Sequence, residues 1–259
     1  TNSFNTAVGG NAGEQITTGV NNTLIGGLAG DALTDADANV AIGVGALGAD
    51  TLGSHNVAIG MNALEVQNFT SATNSYNVAM GFQAGAAVTT GIHNTLIGGL
   101  AGDALTVGHR NVAVGKDALT TNVGGAKNIA IGEGSLSTFN SGSSASDTYN
   151  VAVGHFAGGV LTTGIQNTLI GGLAGDALTD ADFNTALGNA ALGSDTTGSR
   201  SVAIGHNALT TQNFTSATDT YNVAVGQNAG LAVTTGIQNT FIGGEAGKAV
   251  TTGGQNVLL

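Results

Sequence analysis

Aspartates beside glycines are the first residues in this chain with the chemistry to hold an ion. Gly-Gly-Leu-Ala-Gly-Asp stands at residues 26–31, 98–103 and 171–176, and calcium favours carboxylate oxygens on glycine-rich turns. A calcium array needs carboxylates on adjacent turns, however, and here the Asp recurs only once in 72 or 73 residues, with Lys248 in its place in the last copy. Asp35 with Asp37, and Asp180 with Asp182, form local pairs that Val107 and Gly108 interrupt in the copy between. These acids read as solvated turn residues, with calcium binding as the minor alternative; no cofactor or metal is expected. Of the five histidines, His55, His93 and His109 lie near unit ends, while His155 and His206 follow glycines. None has metal-ligand spacing to another. Nucleophiles lack a base at workable spacing, so catalysis is not expected. A column of threonines (Thr17, Thr34, Thr51, Thr89, Thr106) raises ice binding, but a doubled array is missing because the residues two before and two after are mostly Ala, Val or Gly.

The elements that carry these residues repeat. Units beginning Asn-x-Ala/Leu-Ile/Val-Gly start at Asn5, Asn22, Asn39, Asn56, Asn77, Asn94, Asn111, Asn128, Asn150, Asn167, Asn184, Ser201, Asn222, Asn239 and Asn256. Most are 17 residues long; those at Asn56, Asn128 and Ser201 run to 21 or 22, which makes a four-unit superrepeat. A strict short period means that one unit cannot bury its own apolar side and must stack on its neighbours. Position 4 is always aliphatic (Ile42, Ile59), position 5 always Gly (Gly43, Gly60, Gly115), and position 1 Asn except at Ser201 (Asn39, Asn56, Asn111). β-branched runs ending in Gly predict short strands entering turns, two strands to a coil. Glycine every few residues argues against helix, at about 1 kcal/mol each relative to Ala. Stacked Asn side chains are expected to hydrogen-bond from coil to coil. The expected fold is all-β: a parallel β-solenoid of about fourteen coils, forming one repeat domain over 1–259 with superrepeats 5–76, 77–149 and 150–221 and a partial one at 222–259.

Strand side chains alternate, so positions 2 and 4 share one face and position 3 takes the other. Both faces are apolar, as in strands covered on both sides. The expectation is that positions 2 and 4 fill the coil, while position 3 (Ala41, Ala58, Leu96, Ala113, Ala130, Leu169) forms a seam for neighbouring chains. The alternative is that position 3 packs under its own turn. Positions 9 and 12 exchange bulk: Gly30 goes with Leu33 and Gly102 with Leu105, but Leu47 with Asp50 and Leu64 with Gln67. Both are expected to reach the same core space.

The long units carry Ser/Thr/Asn-rich inserts at residues 67–76, 137–149 and 212–221, which would recur about every 20 Å at ordinary strand spacing. Phe69, Thr70 and Tyr76, Phe139 and Tyr149, and Phe214, Thr215 and Tyr221 are the candidate contact residues, against the plainer reading that Phe and Tyr pair to pin each loop. Asn21, Asn68 and Asn213 fit the N-x-S/T glycan acceptor pattern.

Composition narrows the function classes. Charged residues make up only 8% of the chain, and a formal charge of −11 disfavours nucleic acid and anionic membrane as partners. No apolar run is long enough for a membrane helix, and the sequence reads as a segment of a longer protein.

Asn-Val-Ala-Ile-Gly at 39–43 and 56–60, with Ser-Val-Ala-Ile-Gly at 201–205, resembles the head repeats of YadA-like trimeric autotransporter adhesins. Asn-Thr-Leu-Ile-Gly-Gly-Leu-Ala-Gly at 94–102 is similar to repeats of phage and bacterial fibre proteins. The resemblance implies a left-handed parallel β-roll, a homotrimer, and a non-enzymatic fibre segment of a surface adhesin or receptor-binding fibre. Its place would be extracellular, on a cell or virion surface, with a host-surface protein or glycan as target. The unit is longer than is usual in that family, which leaves a self-assembling extracellular filament, joined end to end, as the other reading.

Overall fold

A strand that ends in a glycine with positive φ must turn at once, and this geometry sets the coil. The computed structural model describes residues 3–259, and no helix occurs among them. Each coil supplies one strand of two or three residues at positions 2–4, followed by a Gly near φ +135°, such as Gly43. That conformation is open to glycine and strained for other residues. Tight stacking excludes a side chain as well: a Cβ on Gly43 would lie 2.5 Å from the carbonyl oxygen of Gly60.

The molecule divides into two units. The first comprises the described residues through Asn128 together with Ser141–Asp147. Its strands Thr6–Val8, Thr23–Ile25, Val40–Ile42, Val57–Ile59, Val78–Met80, Thr95–Ile97 and Val112–Val114 pair in parallel, each in register with the same repeat positions of the next coil. The second unit holds Ile129–Asn140 and Thr148–Leu259. It stacks Ile129–Ile131, Val151–Val153, Thr168–Ile170, Thr185–Leu187, Val202–Ile204, Val223–Val225, Thr240–Ile242 and Val257–Leu258 in the same way. Both are parallel β-solenoids with one coil per sequence unit. The expected second strand in every coil is absent. Two-residue pairs form only where the inserts close, at Gly53–Ser54 with Thr73–Asn74, Gly125–Ala126 with Ser146–Asp147, and Gly198–Ser199 with Thr218–Asp219. Elsewhere the backbone turns and bonds directly to the next coil, as in Gly30 N–H to the Ala46 carbonyl at 2.9 Å.

The faces of the strand are the reverse of the sequence expectation. Ala41, Ala58, Leu96, Ala113, Ala130 and Leu169 are fully enclosed by their own coils and cannot form a seam between chains. The Asn of position 1 is buried beside them. Positions 1 and 3 share one face of the strand, and that face closes the coil: the Asn ladder and an apolar column ranging from Ala58 to Leu96 and Phe241 lie inside with position 8, while positions 2 and 4 turn outward. The exchange between positions 9 and 12 follows from crowding in that interior. A Cβ on Gly30 would meet Leu24 and Leu33 at 2.8 Å, whereas Leu47 fills that space where position 3 is Ala41.

The interior Asn column is a continuous hydrogen-bond ladder in each unit. Asn39 Oδ1 accepts from the Asn56 backbone N–H at 2.9 Å and from Asn56 Nδ2 at 3.2 Å, and Asn39 Nδ2 donates to the Gly53 carbonyl at 3.0 Å. Where Ser201 interrupts it, Thr220 Oγ1 (2.6 Å) and Gln212 Nε2 (2.8 Å) close the gap.

Candidate functional site

With position 3 turned inside, two surface features stand out: the outer strand face and the corner just before each Asn. The outer face carries the Val/Thr column of position 2 and the aliphatic column of position 4. In the first unit Ile25 is 39% and Met80 40% exposed; in the second Ile131 is 38%, Leu187 43% and Ile242 46% exposed. Half-exposed aliphatics in register make a flat apolar strip, which is unusual for a parallel sheet face left to water.

The corner is built by backbone bonding. Its N–H donates to the carbonyl one coil and one residue earlier, as in Arg110 to Ile92 (3.0 Å), Lys127 to His109 (3.0 Å) and Gln238 to Thr220 (2.7 Å). That bond goes with left-handed backbone at every corner, including His55, Tyr76, His93, Arg110 and Lys127. Asn or Gly would suit such a conformation best. The corners instead hold all three tyrosines and three of the five Lys/Arg residues. Large planar groups one coil apart stack: His55 lies 5.0 Å and His93 5.8 Å from Tyr76, on either side of its ring. In the second unit Arg200 sits 4.6 Å over Phe183 and 6.0 Å from Tyr221, and pairs with Asp219 at 3.0 Å. The histidines are thus brought into use by stacking rather than by metal-ligand spacing. Sequence reasoning missed this column; its signal was the residue before each Asn, too varied in type to look like a motif.

The inserts divide differently from either sequence reading. Phe69, Phe139 and Phe214 point into the coils and are buried, so they cannot be contact residues, whereas Tyr76, Tyr149 and Tyr221 are exposed on the corner. Each of these coils already buries a leucine (Leu64, Leu136, Leu209), and the Phe joins it inside. Thr70, Thr215 and the acceptor asparagines Asn21, Asn68 and Asn213 are exposed.

Under two inserts the structure hides a polar network. Asp50 Oδ1 accepts from Gly53 N–H at 3.0 Å and Phe69 N–H at 3.3 Å. Gln67 Nε2 donates to Asp50 Oδ2 at 2.6 Å, and Asn77 Nδ2 donates to Gln67 Oε1 at 2.7 Å. Asp195, Gln212 and Asn222 repeat the arrangement. Burial pushes the Asp50 carboxyl above its ordinary 3.8, with these hydrogen bonds opposing the shift. A raised folded-state pKa means that the folded chain holds this proton more tightly than the unfolded chain. The residue's contribution is therefore most favourable below 3.8 and is lost as pH rises through the folded value. At the same two repeat positions the second superrepeat carries Asn122 and Phe139. Asp50→Asn alone should set one amide nitrogen against another and cost about 1–2 kcal/mol at neutral pH. D50N/Q67F should recover that loss, and its advantage over wild type should shrink as pH falls from 7 towards 4. Urea unfolding at both pH values checks this; a pH-independent difference would rule out Asp50 as the source.

The turn acids and threonines are committed between coils. Asp37 Oδ1 accepts the Val20 N–H and Asp182 Oδ1 the Ile165 N–H, both at 2.7 Å. Thr17, Thr34, Thr89 and Thr162 donate their hydroxyls to carbonyls one coil on, at 3.0–3.2 Å. No group of three His, Cys, Asp or Glu that could hold a metal ion occurs among the described residues. No helix there is long and apolar enough to cross a membrane. No protein-family model matches the chain, and no curated protein is significantly similar to it.

Proposed function

We propose that this chain is a non-enzymatic structural segment of an extracellular adhesive or receptor-binding fibre, assembled as a homotrimer through its outer strand face. The observation that carries the reading is the half-exposed aliphatic strip of positions 2 and 4, with Ile25, Met80, Leu187 and Ile242 among its most exposed members. Apolar surface in straight register has the regularity that identical chains can match, and covering it removes water from both partners. The Asn-Val-Ala-Ile-Gly repeats, with their resemblance to trimeric adhesin heads, support the same conclusion.

Size-exclusion chromatography with light scattering tests it. The wild-type chain is expected to run as a trimer, and I42E/I59E as a folded monomer, because both side chains point outward. A wild-type monomer at micromolar concentration, or an unchanged trimer in the variant, would remove this interface.

A further inference from the structure

We propose that the corner formed by His93, His109, Arg110 and Lys127 in the first unit is a binding site for a carboxylated polysaccharide. The inference deepens the adhesive reading above and rests on it.

Three coils are almost copies of one another. Residues 22–34, 94–106 and 167–179 are identical, all reading NTLIGGLAGDALT. Only the four residues that finish each coil differ: Asp-Ala-Asp-Ala at 35–38, Val-Gly-His-Arg at 107–110 and Asp-Ala-Asp-Phe at 180–183. The middle copy has exchanged two carboxylates for an imidazole and a guanidinium at one corner. The exchange forgoes structural bonds, because Asp37 and Asp182 each accept a backbone N–H from the preceding coil at 2.7 Å. Packing of the coil therefore does not explain it.

The corners on either side add an imidazole and an ammonium group. His93 precedes Arg110, and Lys127 follows it, each held by the same backbone bond. Asp147 is the acid at this corner: its carboxylate lies 2.5 Å from Lys127 Nζ and 4.0 Å from His109 Nε2. Arg110 is exposed and makes no ion pair among the described residues. In the second unit, by contrast, Arg200 is stacked and neutralised by Asp219. Arg110 thus keeps a forked donor for a carboxylate from outside.

The shape of the row selects the ligand. From His55 to Lys127 the corners advance by one coil at a time, about 4.8 Å per step, so the partner is extended rather than compact. The faces of Tyr76 are covered by His55 and His93, which leaves hydroxyl and N–H edges to meet it. Hydrogen-bonding edges with few cations, on a chain of net charge −11, suit a hydroxyl-rich polymer of sparse negative charge. A phosphate polymer carries too dense a charge for this surface.

The test uses the full chain and hyaluronan decasaccharide, with dextran oligosaccharide and oligo-dT as comparison probes, by calorimetry at low ionic strength. Wild type should bind hyaluronan and neither of the others. V107D/H109D/R110A recreates acids that the equivalent corner already accepts at Asp35 and Asp37, so it should fold; it should weaken binding at least about tenfold. R110Q is the gentler variant, since Gln166 and Gln238 hold the same corner conformation, and it should also weaken binding severalfold. Absence of hyaluronan binding by wild type, preference for oligo-dT, or binding unchanged in R110Q would each overturn the site. So would a loss of self-association in the variants in place of a loss of hyaluronan, which would make a second copy of this chain the partner. Light scattering on the same samples keeps the two proposals apart: an intact trimer that ignores hyaluronan refutes the ligand and leaves the fibre.

Discussion

Gly60→Ala is expected to lower stability by about 3 kcal/mol or more, and to show this as a large fall in the midpoint of thermal and denaturant unfolding. Gly60 sits at φ +132°, and a Cβ there would lie 2.4 Å from the Gly81 carbonyl oxygen and 2.7 Å from its carbon. The obstacle is backbone of the next coil, which cannot swing away as a side chain would. Nor can Gly60 itself shift, because its N–H donates to the Ile42 carbonyl at 2.7 Å. Gly99→Ala is the matched control: a Cβ there meets nothing within 4 Å, and it should change stability by less than about 0.5 kcal/mol. Equal effects of the two substitutions would show that coil stacking does not set the requirement for glycine at position 5.

Asn39→Ala is expected to cost about 3–5 kcal/mol, the sum of several buried groups left without partners. The Asn39 side chain serves the Asn56 backbone N–H, Asn56 Nδ2, the Gly53 carbonyl and Asn22 Oδ1 at once. It accepts from the first two at 2.9 and 3.2 Å, and donates to Gly53 O at 3.0 Å and to Asn22 Oδ1 at 3.2 Å. All of these asparagines are buried, so water cannot replace the lost contacts without opening the coil. Asn39→Ser should be milder, since Ser201 occupies the same rung, but it needs a hydroxyl partner such as Thr220 supplies there. Denaturant unfolding of both variants checks the ordering. Asn39→Ala as stable as Asn39→Ser would mean that the ladder contributes little.

Much of the solenoid was legible because its rules are local and repeated. Glycine at position 5 in every complete coil announced a backbone that no other residue tolerates, and the Asn column announced a ladder. The exchange of bulk between Gly30 with Leu33 and Leu47 with Asp50 announced a shared core space. The faces of the strand were not legible. Alternation separates positions 2 and 4 from position 3, but both sets are apolar, so hydropathy gives no sign of which is inside. The strand's twist in the closed coil decides: position 3 lies on the same face as the buried Asn of position 1, so Ala58 is inside while Val57 and Ile59 turn outward.

The surface shows the same division. An Asp and a Gln at position 12 look like surface groups, yet Asp50 and Gln67 are buried because the coil's turn carries that position inward. Phe69 and Tyr76 look like a pair, yet one lies inside and the other on a corner. His55, Tyr76 and His93 are 17 to 38 residues apart in sequence and become neighbours only when coils stack. By itself the sequence determined the period, the turn at each glycine and the parallel register, since these follow from backbone sterics within one unit and its repetition. Only the tertiary structure decided which face is buried, which polar groups are enclosed and which corners line up, because those depend on the cross-section of a closed coil and on distances between successive coils.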